Sequence, residues 1–296
     1  MNQRSAYPGI IASVLLLLFL YLIMGILGLL YASITELLNI SILKHHAAIV
    51  TAALSSVSFI AVIITGFKFS GRSAAELFPV KKISIPLIFF ISIFCFGLVI
   101  VLSEADNFVR SSIPVPDFLS KMLADLLLGD NIISTAFLIG IVAPITEELL
   151  FRGVILSGLK KKYSIKKSIL ISALLFSIFH LNPLQMTGAF FGGIFLAWLL
   201  IKTENILYSI AAHSIFNIFP LIILRLTPFK IPGFTDMDGS VEFQPLWFDI
   251  TGILFLITGI ILINLHLNKY SLKTEKITSE SKNTYLHQTG NEISEN

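Results

Sequence analysis

Runs of about twenty apolar residues recur along this chain as far as residue 267, and they constrain its fold more than any other feature. A transmembrane helix needs roughly 20 mainly apolar residues because it must cross a hydrocarbon layer about 30 Å thick. The composition agrees, since 55% of the 296 residues are hydrophobic and 13% are charged, whereas soluble domains carry about 25% charged residues. The sequence therefore predicts an all-α, polytopic transmembrane helical bundle and excludes an ordinary soluble domain.

The chain contains eight such candidate spans. The first, about 21 residues long, exceeds the roughly 7–15 residues of the apolar core of a secretory signal, so we interpret it as a retained span. Asn182-Pro183 is the predicted break between the short fifth and sixth spans. The polar segment 268–296 has too few apolar residues to offset the entropy of ordering and is predicted to be disordered. The spans lie at about 10–31, 47–67, 83–102, 131–158, 167–181, 183–201, 206–224 and 247–267.

The distribution of Lys and Arg predicts how the spans are oriented. With a cytoplasmic N-terminus, these residues in the cytoplasmic segments outnumber those in the outer segments by 15 to 5. Since Lys and Arg accumulate in cytoplasmic loops, we predict that both termini are cytoplasmic. The net charge of +3 is too small to indicate nucleic acid, so membrane lipids are expected as contacts and nucleic acid is not. Abundant Ile, Lys, Asn and Phe indicate an AT-rich bacterial genome and hence a bacterial plasma membrane.

Three ionisable residues lie within the fourth span, in the run Glu147-Glu148-x-x-x-Arg152. A charge at this depth costs at least about 2.5–3.5 kcal/mol, so we expect these residues to be paired or functional. Glu148 and Arg152 are four residues apart on one helix face and are predicted to form an ion pair. Glu147 is rotated by about 100° and can face a cavity. Pro144, one turn earlier, predicts a kink with freed backbone carbonyls.

Two further spans place polar residues at a comparable depth. The fifth span ends with Phe176-x-x-x-His180, and the seventh contains His213-x-x-x-Asn217. A single histidine in an apolar helix is more often packed and hydrogen-bonded than catalytic. With a rise of about 1.5 Å per residue, however, the polar groups of all three spans lie about 12–20 Å from the predicted cytoplasmic ends. This agreement in depth favours a shared site.

Carboxylates, imidazoles and an amide together suit the hydrolysis of a peptide bond. A carboxylate beside an imidazole can take a proton from water, and an imidazole with an amide can donate hydrogen bonds to the developing oxyanion. Alternatively, one Glu and two His can hold a zinc ion that lowers the pKa of its bound water. Both versions predict the attack of water on a carbonyl carbon.

The three motifs, in this order and each within an apolar span, resemble those of the CAAX prenyl protease and bacteriocin-processing family, also called the Abi or CPBP family. Each motif alone is weak, but the three together are specific, and no motif residue departs from the pattern. The resemblance covers residues 131–224. It implies that spans 4–7 (131–224) form a protease core. The predicted spans divide the rest into spans 1–3 with an outer loop (1–130), an outer loop with span 8 (225–267) and the cytoplasmic tail (268–296), all outside the resemblance.

The resemblance also implies the roles of the residues in an intramembrane endopeptidase. Glu147 would activate the water together with His180, and the other imidazole and the amide would stabilise the oxyanion. If a metal is used, its ligands would be Glu147, His180 and His213; a metal-free mechanism is equally compatible. The implied catalytic residues are Glu147, His180, His213 and Asn217, with Glu148 and Arg152 in support.

Several substrates and two other functions remain open. The peptide substrate could be a prenylated C-terminus, a bacteriocin leader or toxin whose cleavage gives self-immunity, or a segment of a membrane protein. Because bacteria mostly lack prenylated CAAX proteins, we expect peptide processing or immunity. The other functions are a catalytically silent membrane scaffold or regulator with the same fold, and a small-solute transporter whose path is lined by charge. Intact motifs favour the protease, and the lack of an inverted sequence repeat disfavours the transporter.

Overall fold

The described part of the chain is entirely helical apart from turns and connections, as predicted. Asn268 and Lys269 still belong to the last helix, and the rest of the predicted tail lies outside the described residues. The computed structural model describes residues 6–39, 47–113, 116–128, 131–226, 228–235 and 241–269.

Local sequence sets where several of these helices begin. Ser73 forms a capping box with Glu76 at a short helix, and the side chains of Ser164 and Asn182 accept hydrogen bonds from the first turns of two longer ones. In chain order the helices are α1 Ile10–Leu37, α2 Ala47–Ser70, α3 Ala74–Leu77, α4 Ile85–Ser112, α5 Asp117–Leu128, α6 Ile132–Lys162, α7 Ile165–Phe179, α8 Pro183–Thr203, α9 Ile206–Leu226 and α10 Leu246–Lys269.

Seven helices among the described residues are long and apolar enough to cross a membrane, one fewer than the eight predicted spans. The difference is α7, which has 15 residues and is therefore only about 22 Å long. It ends early because Leu181 adopts a positive φ of 49° and Asn182 caps α8, which begins at Pro183. The predicted break is thus confirmed, and α7 packs against α8 as a helical hairpin.

The start of α1 and the end of α10 lie at the same end of the bundle. A Cβ atom on Gly9, the N-cap of α1, would lie 3.0 Å from Nζ of Lys162 at the end of α6. Near the end of α10, Nε2 of His266 lies 3.0 Å from Oγ of Ser84, the N-cap of α4. That this end faces the cytoplasm stays a prediction of the charge distribution. We call it the lysine-rich end, after Lys81, Lys160, Lys162 and Lys202.

Helix α6 lies at the centre of the bundle and contains two π-helical segments, Leu138–Val142 and Leu149–Leu156. At the end of the first, the N–H of Ala143 donates to the carbonyl five residues earlier, that of Leu138. Pro144 has no N–H with which to repeat this pattern, so the next carbonyl, that of Ile139, lacks its π-helical donor. Pro144 was predicted to free a backbone carbonyl, and the carbonyl that it frees is that of Ile139.

Glycines bring α4 and α10 into backbone contact. A Cβ atom on Gly97 would overlap the backbone of Leu256, and one on Gly259 would lie 2.5 Å from the backbone N of Phe94. Side chains at these positions would force the helices apart, which is the usual reason for small residues between packed transmembrane helices. The last helix is thereby held against the core that carries the polar motifs.

Candidate active site

Glu148 is fully buried in α6 and has a polar partner on each side. Its Oε2 lies 3.1 Å from Nε of Arg152, so the predicted i,i+4 ion pair is present. Its Oε1 lies 2.9 Å from Nδ1 of His213 in α9. In an ion pair with a guanidinium the carboxylate oxygens are acceptors, so the Nδ1–H of His213 is the donor in this hydrogen bond.

Arg152 joins α6 to the helical hairpin of α7 and α8. Its side chain is fully buried, and its Nη2 donates to the carbonyl of Gly193 in α8 at 3.2 Å. Its Cζ lies 4.5 Å from the centroid of the Phe176 ring in α7, which is a cation–π contact. The guanidinium therefore stabilises the buried carboxylate and also fixes the position of α6 against its neighbours.

Glu147 points towards the other nitrogen of the same imidazole. Its Oε2 lies 3.8 Å from Nε2 of His213, which is longer than a hydrogen bond. The side chain of Glu147 is 12% exposed, whereas that of Glu148 is 0% exposed. The His213 ring thus lies between two carboxylates, and Glu147 is the more accessible of the two, as its predicted rotation indicates.

His180 and Asn217 each donate one hydrogen bond to a backbone carbonyl. Nδ1 of His180 lies 2.8 Å from the carbonyl oxygen of Phe176, so Nδ1 is the donor and Nε2 keeps its lone pair in the neutral ring. Nδ2 of Asn217 donates at 2.9 Å to the carbonyl of Ile139, the one that Pro144 leaves without a donor. Asn217 therefore also completes the backbone hydrogen bonding of α6.

The two imidazoles and the amide line a single cavity of about 200 Å³. The ring of Phe176, which also lines it, lies edge-on to both histidines, with centroids 4.9 Å from His180 and 5.6 Å from His213. Glu147 is not among the residues that line this cavity, but its Oε2 lies 3.8 Å from Nε2 of His213, which is. The structure thus gathers all six predicted site residues into one connected cluster, while the catalytic role of each stays a prediction.

Tyr21 in α1 is a site neighbour that the sequence motifs did not identify. Its hydroxyl donates a hydrogen bond to the carbonyl of Phe179, the residue before His180, and the two aromatic rings lie 5.5 Å apart. Tyr21 is also close enough to Glu147 for an electrostatic interaction. The only signal in the sequence is a polar aromatic residue in the middle of a span, which is too common to single out.

The arrangement of these side chains does not fit a metal site. Across the described residues, no three His, Cys, Asp or Glu side chains come together in a group that could hold a metal ion. Glu147, His180 and His213 would have to supply such a site, and each histidine could offer only Nε2, because its Nδ1 is engaged by Phe176 or Glu148.

Comparisons with known proteins agree with the motifs. Residues 129–219 match the family described as Type II CAAX prenyl endopeptidase Rce1-like, and this segment contains every residue of the cluster. The UPF0177 protein YxdF of Lactococcus lactis subsp. lactis is 30% identical over 98 residues, which are 33% of this chain and 54% of that protein. The chain thus spans about half the length of the curated relative that it matches. No solved structure matches.

The chain is a multi-pass membrane protein, since its long apolar helices and the family match agree. The matched segment extends from just before α6 into α9. It therefore includes the helices that carry the three motifs and the cavity between them. The matches over this segment support a relationship to the CAAX prenyl protease and bacteriocin-processing family, to which residues 129–219 are similar.

Proposed function

We propose that this chain is an intramembrane endopeptidase that hydrolyses a peptide bond with water activated by Glu147. The observation that carries the proposal is the position of His213, between two carboxylates and in the wall of the cavity that His180 and Asn217 also line. The family match supports a CAAX-type intramembrane protease as the kind of function.

In the first step, a water at the edge of the cavity, next to Nε2 of His213 and within reach of Glu147, loses a proton to Glu147 as it attacks the carbonyl carbon of the peptide. His180 orients this water, because its Nδ1 is held by the carbonyl of Phe176 and its Nε2 can accept a hydrogen bond. A carboxylate that is mostly buried and next to an imidazole is a suitable general base. The proton then passes from Glu147 to the departing amine, and the peptide bond breaks.

The developing oxyanion is stabilised by two donors on α9. When His213 carries both protons, its Nε2–H can donate into the cavity and its positive charge balances that of Glu147. The amide of Asn217 uses one N–H for Ile139 and has a second one to offer. Two preorganised donors in a water-poor site are a common source of rate acceleration in acyl transfer.

Glu148 and Arg152 act through His213 and not on the substrate. The carboxylate holds Nδ1 of the ring at 2.9 Å, and the guanidinium neutralises that carboxylate within the membrane. This division makes Glu148 and Arg152 positioning residues. Candidate substrates are a prenylated C-terminus, a bacteriocin leader or toxin, and a segment of a membrane protein, with peptide processing or self-immunity preferred for a bacterial chain.

A cleavage assay in liposomes tests the proposal. The probe is a pool of apolar peptides, part of it carrying a C-terminal prenylated cysteine, and the products are identified by mass spectrometry. We expect Glu147→Gln to lower cleavage by about 10²–10⁴-fold, the usual contribution of a general base. Glu36→Gln, which changes an exposed glutamate of α1, is the matched control and should cleave normally. Equal cleavage by wild type and Glu147→Gln would refute the proposal and favour the scaffold.

A further inference from the structure

Two glycines of α8 lie on the face of that helix that lines the active-site cavity. Gly188 and Gly192 are one turn apart, with Gln185 one turn before them on the same face. A Cβ atom on Gly188 would approach no atom closer than 3.8 Å, and one on Gly192 none closer than 3.9 Å. Both positions therefore have room for a side chain that the sequence does not supply.

The neighbouring Gly193 provides a contrast on the same helix. A Cβ atom there would lie 3.2 Å from the backbone of Ala173 in α7, a tight approach that explains glycine by helix packing. Packing does not explain Gly188 and Gly192, because the nearest atom to either Cβ position is in the ring of Phe216 across the cavity. At these two positions the missing side chains leave the cavity open.

The remaining walls of the cavity are mainly apolar, but the imidazole of His213 also faces the cavity. Leu98, Phe195 and Phe216 line the cavity opposite or beside the glycines. His213 is 4% exposed and lines the same cavity. Its Nε2 makes no hydrogen bond with any described residue, since Glu147 is 3.8 Å away. A volume of about 200 Å³ would hold roughly seven waters at about 30 Å³ each, or a short piece of peptide.

We propose that the substrate lies extended along this glycine face of α8, and that Gly188 and Gly192 admit a large apolar side chain next to the bond to be cleaved. A helix face without side chains lets another backbone approach closely. The amide of Gln185 can hydrogen-bond the substrate backbone at the start of the face. The inference rests on the proposed function, and it names the substrate class: a peptide with a bulky apolar residue beside the scissile bond.

The first test measures selectivity in liposomes with quenched peptides that differ only in Ala or Phe next to the scissile bond. Gly188→Leu fills the cavity without a backbone clash, so the ratio of kcat/KM for Phe over Ala should fall by about tenfold or more. Gly28→Leu is the matched control, because a Cβ atom on Gly28 in α1 has nothing within 4 Å. An unchanged ratio in folded Gly188→Leu protein would overturn the inference.

The second test needs no cleavage and separates this inference from the proposed function. Cys95 is the single cysteine of the chain, so Cys95→Ala gives a background in which Gly188→Cys is the only site for a maleimide. In a Glu147→Gln protein, the Phe peptide should slow alkylation at Gly188→Cys by about tenfold and leave Gly28→Cys unaffected. Protection without cleavage by wild type would keep the inference and refute the protease. Cleavage by wild type without protection of Gly188→Cys would refute the inference and leave the proposed protease function standing.

Discussion

Oε1 of Glu148 lies 2.9 Å from Nδ1 of His213, so the carboxylate expected to serve as the structural partner of Arg152 also holds an imidazole that lines the cavity. In a neutral imidazole, the hydrogen bond made by one ring nitrogen decides whether the other nitrogen is a donor or an acceptor. Here Nδ1 is committed as a donor to Glu148, and Nε2 faces Glu147 and the cavity. The ion pair and the proposed chemistry are therefore one connected network.

The first prediction concerns that network. Arg152→Met should destabilise the protein by about 3–5 kcal/mol, because it leaves the fully buried carboxylate of Glu148 without its counter-charge. Adding Glu148→Gln should restore much of the loss, since no unpaired charge remains and a glutamine oxygen can still accept from His213. Thermal unfolding in lipid nanodiscs measures both. Lys160→Met, at an exposed lysine, is the control, and simple additivity of the two changes would contradict the prediction.

The second prediction separates two roles of Asn217. Asn217→Leu should cost about 1–3 kcal/mol in stability, because it leaves the Ile139 carbonyl without a donor inside the membrane. Asn264→Leu removes a hydrogen bond of the same kind, 2.9 Å long, on the exposed surface of α10 and should cost less. Both variants are compared by thermal unfolding. If Asn217→Leu kept full stability but lost cleavage, the amide would act on the substrate alone.

The third prediction concerns Tyr21, which holds the end of α7 just before His180. Tyr21→Phe keeps the ring contact with Phe179 but removes the hydrogen bond to its carbonyl. A net loss of about 0.5–1.5 kcal/mol for that bond corresponds to a decrease in kcat of up to about tenfold. Tyr163→Phe, at the start of α7, should leave kcat unchanged. Equal rates for Tyr21→Phe and wild type would show that the turn keeps its shape without the hydroxyl.

The fourth prediction concerns metal dependence. Since the described His, Cys, Asp and Glu residues form no three-ligand group, we expect cleavage to survive dialysis against a chelator. The measurement combines the cleavage rate before and after dialysis with elemental analysis of the purified protein. Loss of activity on chelation, with recovery when zinc is added back, would instead require Glu147, His180 and His213 to rearrange around a metal.

Local spacing predicted those parts of the fold that depend on neighbouring residues. The Glu148–Arg152 ion pair follows from helical periodicity, and the break after His180 follows from Asn182-Pro183, because both effects act within a turn or two. Apolar character predicted seven spans that the structure bears out, and it also counted the short segment 167–181 as a span, whereas α7 has 15 residues and is too short for one. Its apolar residues continue into α8 with only a brief interruption at Asn182-Pro183, so composition alone did not show that it falls short of a span.

The contacts between helices could not be read from spacing. The motif residues were expected to converge because of their depth, but depth cannot say which nitrogen of His213 faces which carboxylate. The rotation of α6 depends on its π-helical segments, which have no clear mark in the sequence apart from Pro144. The approach of Tyr21 depends on how α1 packs against α7. These relationships arise from tertiary packing between segments far apart in the chain.

The shortness of α7 has a consequence for the surrounding lipid. Leu170, Leu174 and Ile178 form an exposed apolar stripe on this helix, but the helix is about 22 Å long beside hydrocarbon about 30 Å thick. A hydrophobic surface shorter than the bilayer is accommodated by local thinning. Because α7 ends at the cavity, a thinning of the lipid beside it would lie where water and a polar peptide backbone must arrive. The thickness of the host membrane should therefore influence how easily water and substrate reach the cavity.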